Sequence, residues 1–223
     1  MTLPRHQVIS GTESELRRFG ELIQGLDDGA WAKDTRCAGW TVADVAAHVV
    51  GTFSDIANGR FAELGAPDAT ERQAAERRGR SQKELADELQ QSAESTLLLA
   101  SSFDDDAWAG PAPAGLPGTL GEGAEAIWYD AFVHADDIRA AVGLSSESGP
   151  GLLCSVSHLA DLLTREEWGP ATLVLDGLPE IPVSGGGGRR VTGDPLHFVL
   201  VATGRADPAT LGLDDTVNVY RPQ

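Results

Sequence analysis

Residues 12–26 alternate polar and apolar positions with the period of an α-helix: in E-S-E-L-R-R-F-G-E-L-I-Q-G-L, Leu16, Phe19, Leu22, Ile23 and Leu26 share one face. After an Asp-, Gly- and Trp-containing loop, T-V-A-D-V-A-A-H-V-V-G-T-F-S-D-I predicts a second helix. Thr41 is a natural N-cap there, and Asp44, three residues on, completes a capping box. Val45, Val49, Thr52, Phe53 and Ile56 mark its buried face, with His48 on the margin. A polar, Arg-rich connector leads to a third helix, where Ser81 and Glu84 repeat the capping-box spacing and Leu85, Leu89, Leu97 and Leu98 supply the stripe. The run P-A-P-A-G-L-P-G at 111–118 reads as loop. A fourth helix is expected from about Glu122 to Val142, stopped by Gly143, and a fifth helical stretch, L-L-C-S-V-S-H-L-A-D-L-L-T, ends before Gly169-Pro170.

Beyond residue 170 the period shortens. A-T-L-V-L-D-G, E-I-P-V-S and R-R-V-T-G read as short strands between turn signals. Asp194 followed by Pro195 is an N-cap with proline at the first helical position, opening a short helix that Gly204 closes. T-V-N-V-Y, at 216–220, reads as a last strand, and S-G-G-G-G-R-R, at 184–190, as a flexible hairpin turn without the G-K-[ST] ending of a phosphate loop. The pattern therefore predicts an α+β chain: a helical bundle over residues 1–147 and a small α+β domain over 148–223.

Charge narrows the partners. A formal net charge of −17 repels phosphate backbones and anionic lipid surfaces, which argues against nucleic-acid and membrane partners. No apolar run is long enough to span a bilayer, and residues 1–15 lack the sustained apolar stretch of a secretory signal. The two cysteines, Cys37 and Cys154, are far apart at no metal or redox spacing, so a reduced, cytoplasmic protein is expected.

The fourth helix carries an unusual polar stripe. In Y-D-A-F-V-H-A-D-D, Asp130, His134 and Asp137 stand at i, i+4 and i+7 on one face of a segment that otherwise reads as buried. Two readings fit that spacing: an ion pair facing solvent, or two ligands of one divalent ion that needs a third from elsewhere. His48, across the bundle, is the candidate third ligand; taken alone it reads equally as a hydrogen-bonded core histidine. Asp137, one turn from His134, could orient that ring or cap a neighbouring helix. Trp40, Trp128 and Tyr129 could line a pocket beside such a centre or be core, and Cys37 reads as a structural thiol. His6, His158 and His197 have no companions at ligand spacing.

C-A-G-W-T-V-A-D-V-A-A-H-V-V-G (37–51), followed by D-A-F-V-H-A-D-D-I-R-A-A-V-G (130–143), resembles the mycothiol-dependent maleylpyruvate isomerase family. G-D-P-L-H-F-V-L-V-A-T-G-R-A-D-P (193–208) is similar to the family's second domain. The resemblance implies a DinB-like four-helix bundle followed by a small α/β, sterol-carrier-like domain. It also implies Zn2+ bound by His48, Asp130 and His134, with Asp130 standing where the family carries a glutamate. Mycothiol would be the cosubstrate: its thiolate adds to an electrophilic carbon of a small molecule, and either leaves after bond rotation (isomerisation) or stays attached (S-transfer). Arg205 falls where the family carries an arginine associated with the active site; a helix-terminal charge on the dipole is its alternative reading. Two rival functions remain open: a metal-free binding or accessory protein on the same fold, and a thiol-independent metal hydrolase.

Overall fold

The computed structural model describes residues 3–64 and 66–221. Met1 and Thr2, which open the stretch read above against a secretory signal, lie outside the described residues. The chain divides into two compact units, Pro4–Glu147 and Ser148 to the C-terminus, with Leu3 grouping with the second.

In the first unit, helix α1 (Arg5–Gln24) begins seven residues before its periodic stripe, because Val8 and Thr12 extend the buried face towards the N-terminus. Its N-cap is Pro4, which offers no capping side chain, so the sequence carried no start signal. Gly11 lies inside this helix because the Trp128 ring occupies the space a side chain would need; a Cβ there would meet the ring at 2.1 Å. A short helix α2 (Asp28–Trp31) precedes α3 (Val42–Ala57), whose N-cap Thr41 and Asp44 form the expected capping box.

The Arg-rich connector is not simply a loop. It folds into α4 (Phe61–Leu64) and α5 (Ala69–Ala75), and α5 packs on α3. Consequently α3 is buried on nearly every side, including the polar residues His48, Thr52, Ser54 and Asp55. Helix α6 (Gln82–Ser102) starts with the Ser81–Glu84 capping box, α7 (Asp105–Ala109) follows, and α8 (Leu120–Val142) ends at Gly143 in the left-handed conformation. α8 starts two residues early because Thr119 caps it, with Glu122 as the reciprocal partner.

The four long helices form a bundle in which α1 and α3 each pack against both α6 and α8. Phe19 and Ile23 of α1, Val45, Val49 and Phe53 of α3, Leu85 and Leu89 of α6, and Ile138 of α8 fill its core. Each large apolar side chain removed from water contributes about 1.5–3 kcal/mol, which gives the bundle the rigidity to hold buried polar groups.

The second unit opens with α9 (Pro150–Arg165), followed by β1 (Ala171–Leu175), β2 (Ile181–Val183), β3 (Arg189–Gly193) and α10 (Pro195–Ala202), capped by Asp194 as expected. The sheet order is β2-β1-β3, with β2 antiparallel and β3 parallel to β1. Two sequence expectations fail here. The glycine run joins strands on opposite edges of β1, so it is a crossing connection rather than a hairpin turn; Gly188 must be glycine, since a Cβ would stand 2.2 Å from the Pro170 carbonyl oxygen. T-V-N-V-Y adds no strand: Asp215–Val217 is a 3-10 turn. The Asp214 side chain accepts from the Thr216 N–H at 3.0 Å, and Asn218 accepts from the Tyr220 N–H at 3.0 Å. These local side-chain hydrogen bonds win over β propensity.

Candidate metal centre

His48 sits in the second turn of α3, pointed by the capped start of that helix towards α8. Asp130 and His134 stand one turn apart on α8. The three converge: His48 Nε2 is 3.3 Å from Asp130 Oδ2, and His134 Nε2 is 3.4 Å from Asp130 Oδ1. The two imidazoles meet edge to face, centroids 5.1 Å apart at 86°. One ligand atom from each residue lies within 4.8 Å of the others. The shorter aspartate therefore reaches both histidines without the extra methylene of glutamate.

Each imidazole is held at its other nitrogen. His134 Nδ1 lies 2.9 Å from Asp137 Oδ2, and Asp137 is fully buried. Arg36, on the loop before α3, donates to Asp137 at 2.5 Å and also to Asp136. The Cys37 thiol lies 3.2 Å from Asp137 Oδ2. His48 Nδ1 lies 2.8 Å from Gln73 Oε1 on α5. Both Nδ1 atoms are thus occupied, leaving both Nε2 atoms turned towards Asp130.

These residues fit a divalent ion. Tetrahedral zinc with bonds of about 2.0 Å sets neighbouring ligand atoms about 3.3 Å apart; His48 Nε2 has that spacing to Oδ2 of Asp130 and His134 Nε2 nearly that to Oδ1, and one atom from each residue lies within 4.8 Å of the others. Asp130 Oδ2 is buried with no hydrogen-bond partner, the kind of orphaned acceptor a cation satisfies. A second set, Cys37, His134 and Asp137, also clusters within 4.8 Å. There Arg36 already neutralises the carboxylate and places a positive charge beside any incoming cation, so that set serves better as support for His134 than as a rival site.

Protonation follows from the same geometry. Burial opposes ionisation of Asp130, but the two imidazoles beside it hold its carboxyl below the usual carboxylate range. Burial disfavours charge on His134 as well, yet Asp130 and the hydrogen bonds to Asp130, Asp137 and Cys37 raise it well above its ordinary 6.5. In the metal-free fold, the stabilisation from Asp130 is present above 3.8 and drains as pH falls through its depressed value. That from His134 is complete below 6.5 and is lost as pH rises through its raised value. Metal uptake must displace the His134 proton. Zinc affinity is therefore expected to rise with pH across the neutral range, by up to about tenfold per unit for one displaced proton. Calorimetry in buffers of different ionisation enthalpy would count that proton.

Of the pocket candidates, Trp40 lies beside the centre, its ring 5.5 Å from that of His48 and tilted by 60°. Trp128 is fully buried on another face of α8, against Gly11 of α1, and packs the bundle rather than lining the cluster. Arg205 belongs to the second unit, half-buried just after α10, its N–H donating to the Leu200 carbonyl at 2.7 Å. Arg139, two residues beyond Asp137, is buried and paired with Glu147 at 2.5 Å. Sequence reasoning missed Gln73 and Arg36 entirely and gave Cys37 no place near His134.

The bundle thus carries a His–carboxylate–His cluster across two of its helices, three ligand atoms within reach of one divalent ion. The profile described as the mycothiol maleylpyruvate isomerase N-terminal domain matches residues 12–139, and the chain belongs to that family. Two solved structures share the fold over 96% of both chains. One is the mycothiol-dependent maleylpyruvate isomerase, with TM-score 0.69 at 18% identity. The other is a histidine-to-alanine mutant of that enzyme, with TM-score 0.68 at 17% identity. No curated protein matches the chain. Among the described residues, no helix is long and apolar enough to cross a membrane.

Proposed function

We propose that this chain is a zinc-dependent enzyme that uses the thiol of mycothiol for S-transfer to, or thiol-assisted isomerisation of, a small electrophile. The observation that carries this reading is the convergence of His48 Nε2, the Asp130 carboxylate and His134 Nε2, each imidazole braced at Nδ1. Membership of the family supports the choice of thiol. A zinc ion held by three side chains keeps a fourth position open and lowers the pKa of a thiol placed there, so that the nucleophilic thiolate exists at neutral pH.

The chain's own groups supply the rest. His48 and His134 present neutral nitrogen donors, and Asp130 is the one anionic ligand. Asp137 fixes the His134 ring, and the Arg36 guanidinium, shared with Asp136, offsets part of the negative charge behind it. Trp40 gives an apolar wall on the His48 side. The family resemblance adds Arg205 as a cationic partner for an anionic substrate.

The test is thiol-adduct mass spectrometry on protein purified without chelator, run with mycothiol against a panel of small electrophiles, with and without zinc. Adducts or isomerised product that require both zinc and thiol support the reading. Absence of metal in the purified protein and no uptake on titration would favour a binding or accessory role. Zinc-dependent turnover indifferent to thiol would favour a hydrolase working through bound water.

A further inference from the structure

The polar residues between α3 and α5 form a chain that ends on a candidate ligand. Asp55 is fully buried, and its Oδ2 accepts hydrogen bonds from Gln73 Nε2 at 2.8 Å and Arg72 Nη2 at 2.7 Å. Arg60 pairs with Oδ1 at 2.5 Å. Two guanidiniums keep this carboxyl below its ordinary range despite the burial that opposes ionisation, so it is an acceptor only. An acceptor-only group can face the NH2 end of an amide but not its carbonyl, and this fixes which way Gln73 points. Its Oε1 is thereby presented to α3, 2.8 Å from His48 Nδ1 and 3.3 Å from the Thr52 hydroxyl.

A carbonyl oxygen has no proton to give, so His48 Nδ1 must carry one and donate it. The other ring nitrogen, Nε2, then keeps its lone pair, and Nε2 is the atom 3.3 Å from Asp130. A second feature of the fold makes this contact attainable. Gly51 lies three residues after His48, and a Cβ there would stand 2.5 Å from Gln73 Cβ and 2.8 Å from Cγ. The bare backbone at 51 lets α5 come close enough for the amide to reach the imidazole.

We infer that Gln73, aimed by Asp55 and seated against Gly51, is a positioning residue of the metal centre: it locks His48 in the tautomer whose Nε2 lone pair faces the ion. The inference rests on reading His48 as a zinc ligand. An amide does this work without adding a charge, whereas a carboxylate in the same place would put a second anion beside Asp55 and lower the net positive charge of a loaded centre.

The test compares full-length wild type with Gln73→Met, which keeps the side-chain length but removes the acceptor, and with Gly51→Ala, which displaces an intact Gln73. Two quantities are read: zinc affinity by competition with a chromophoric chelator, and the His48 ring signals in nitrogen–proton correlation spectra of metal-free and zinc-loaded protein. Wild type should show an exchange-protected Nδ1–H on His48 in both states. Both variants should lose that protection and bind zinc roughly 10–100-fold more weakly. Unchanged affinity and an unchanged Nδ1–H signal in folded Gln73→Met would overturn the inference. If wild type itself takes up no zinc, the metal centre fails on its own account, and the metal-free ring spectra still decide what Gln73 does to His48.

Discussion

Replacing His134 by alanine should weaken zinc binding by roughly 10²–10³-fold. Structural zinc sites of four ligands bind with about 10–16 kcal/mol in total, so one ligand carries about 3 kcal/mol, and each 1.4 kcal/mol is tenfold. The loss at His134 should exceed that at Gln73 because the ligand atom itself disappears. It also strands Asp137, which then keeps Arg36 and the Cys37 thiol but loses the imidazole at 2.9 Å. The fold should survive, since the change leaves the apolar core of the bundle intact. Chelator competition on the purified variant, with circular dichroism to confirm the fold, checks both halves of the expectation.

Asp55→Ala should be strongly destabilising for a change outside the apolar core. It removes a fully buried carboxylate that pairs with Arg60 and Arg72 and accepts from Gln73. Breaking a buried ion pair from one side typically costs about 3–5 kcal/mol. Arg60 and Arg72 keep partial access to water and to Glu63 and Glu76, which puts the expected loss near the lower end, about 3 kcal/mol. Urea unfolding should show a lower midpoint at unchanged slope. Because the Asp55 carboxyl is held below its ordinary 3.8, its contribution is complete above that value and drains away as pH falls through the depressed one. The difference between wild type and variant should therefore shrink in acid. Asp55→Ala should also release the Gln73 amide and weaken zinc in the same direction as Gln73→Met.

Much of this architecture was legible because the relevant signals are local. Thr41 with Asp44, Ser81 with Glu84, and Asp194 with Pro195 each announce a helix start through hydrogen bonds spanning three residues, and the structure contains all three. The Asp130–His134 stripe was readable for the same reason, as a spacing on one helix. What escaped was what depends on chain segments meeting. α5 is seven residues long and its face towards α3 is made by Ala69, Gln73 and Ala74, too short and too weakly apolar to register as periodicity. Without α5, neither the full burial of α3 nor the partner of His48 can be foreseen.

Arg36 escaped for a related reason. It approaches Asp136 and Asp137 across about a hundred residues of sequence, and a loop arginine carries no signal of its destination. Trp128 lies two positions from Asp130, and two positions on a helix turn a side chain to nearly the opposite face, where it packs on Gly11. In the 216–220 segment β-branched composition predicts a strand, whereas an aspartate and an asparagine satisfy the backbone locally.

X-ray absorption at the zinc edge, on the loaded protein before and after addition of mycothiol, tests the proposed centre most directly. The arrangement of His48, Asp130 and His134 predicts a first shell of nitrogen and oxygen only, with two imidazoles, and the arrival of a single sulfur at about 2.3 Å once the thiol is added. A sulfur already present beforehand would place the ion on Cys37 instead, and a first shell unchanged by the thiol would contradict the account.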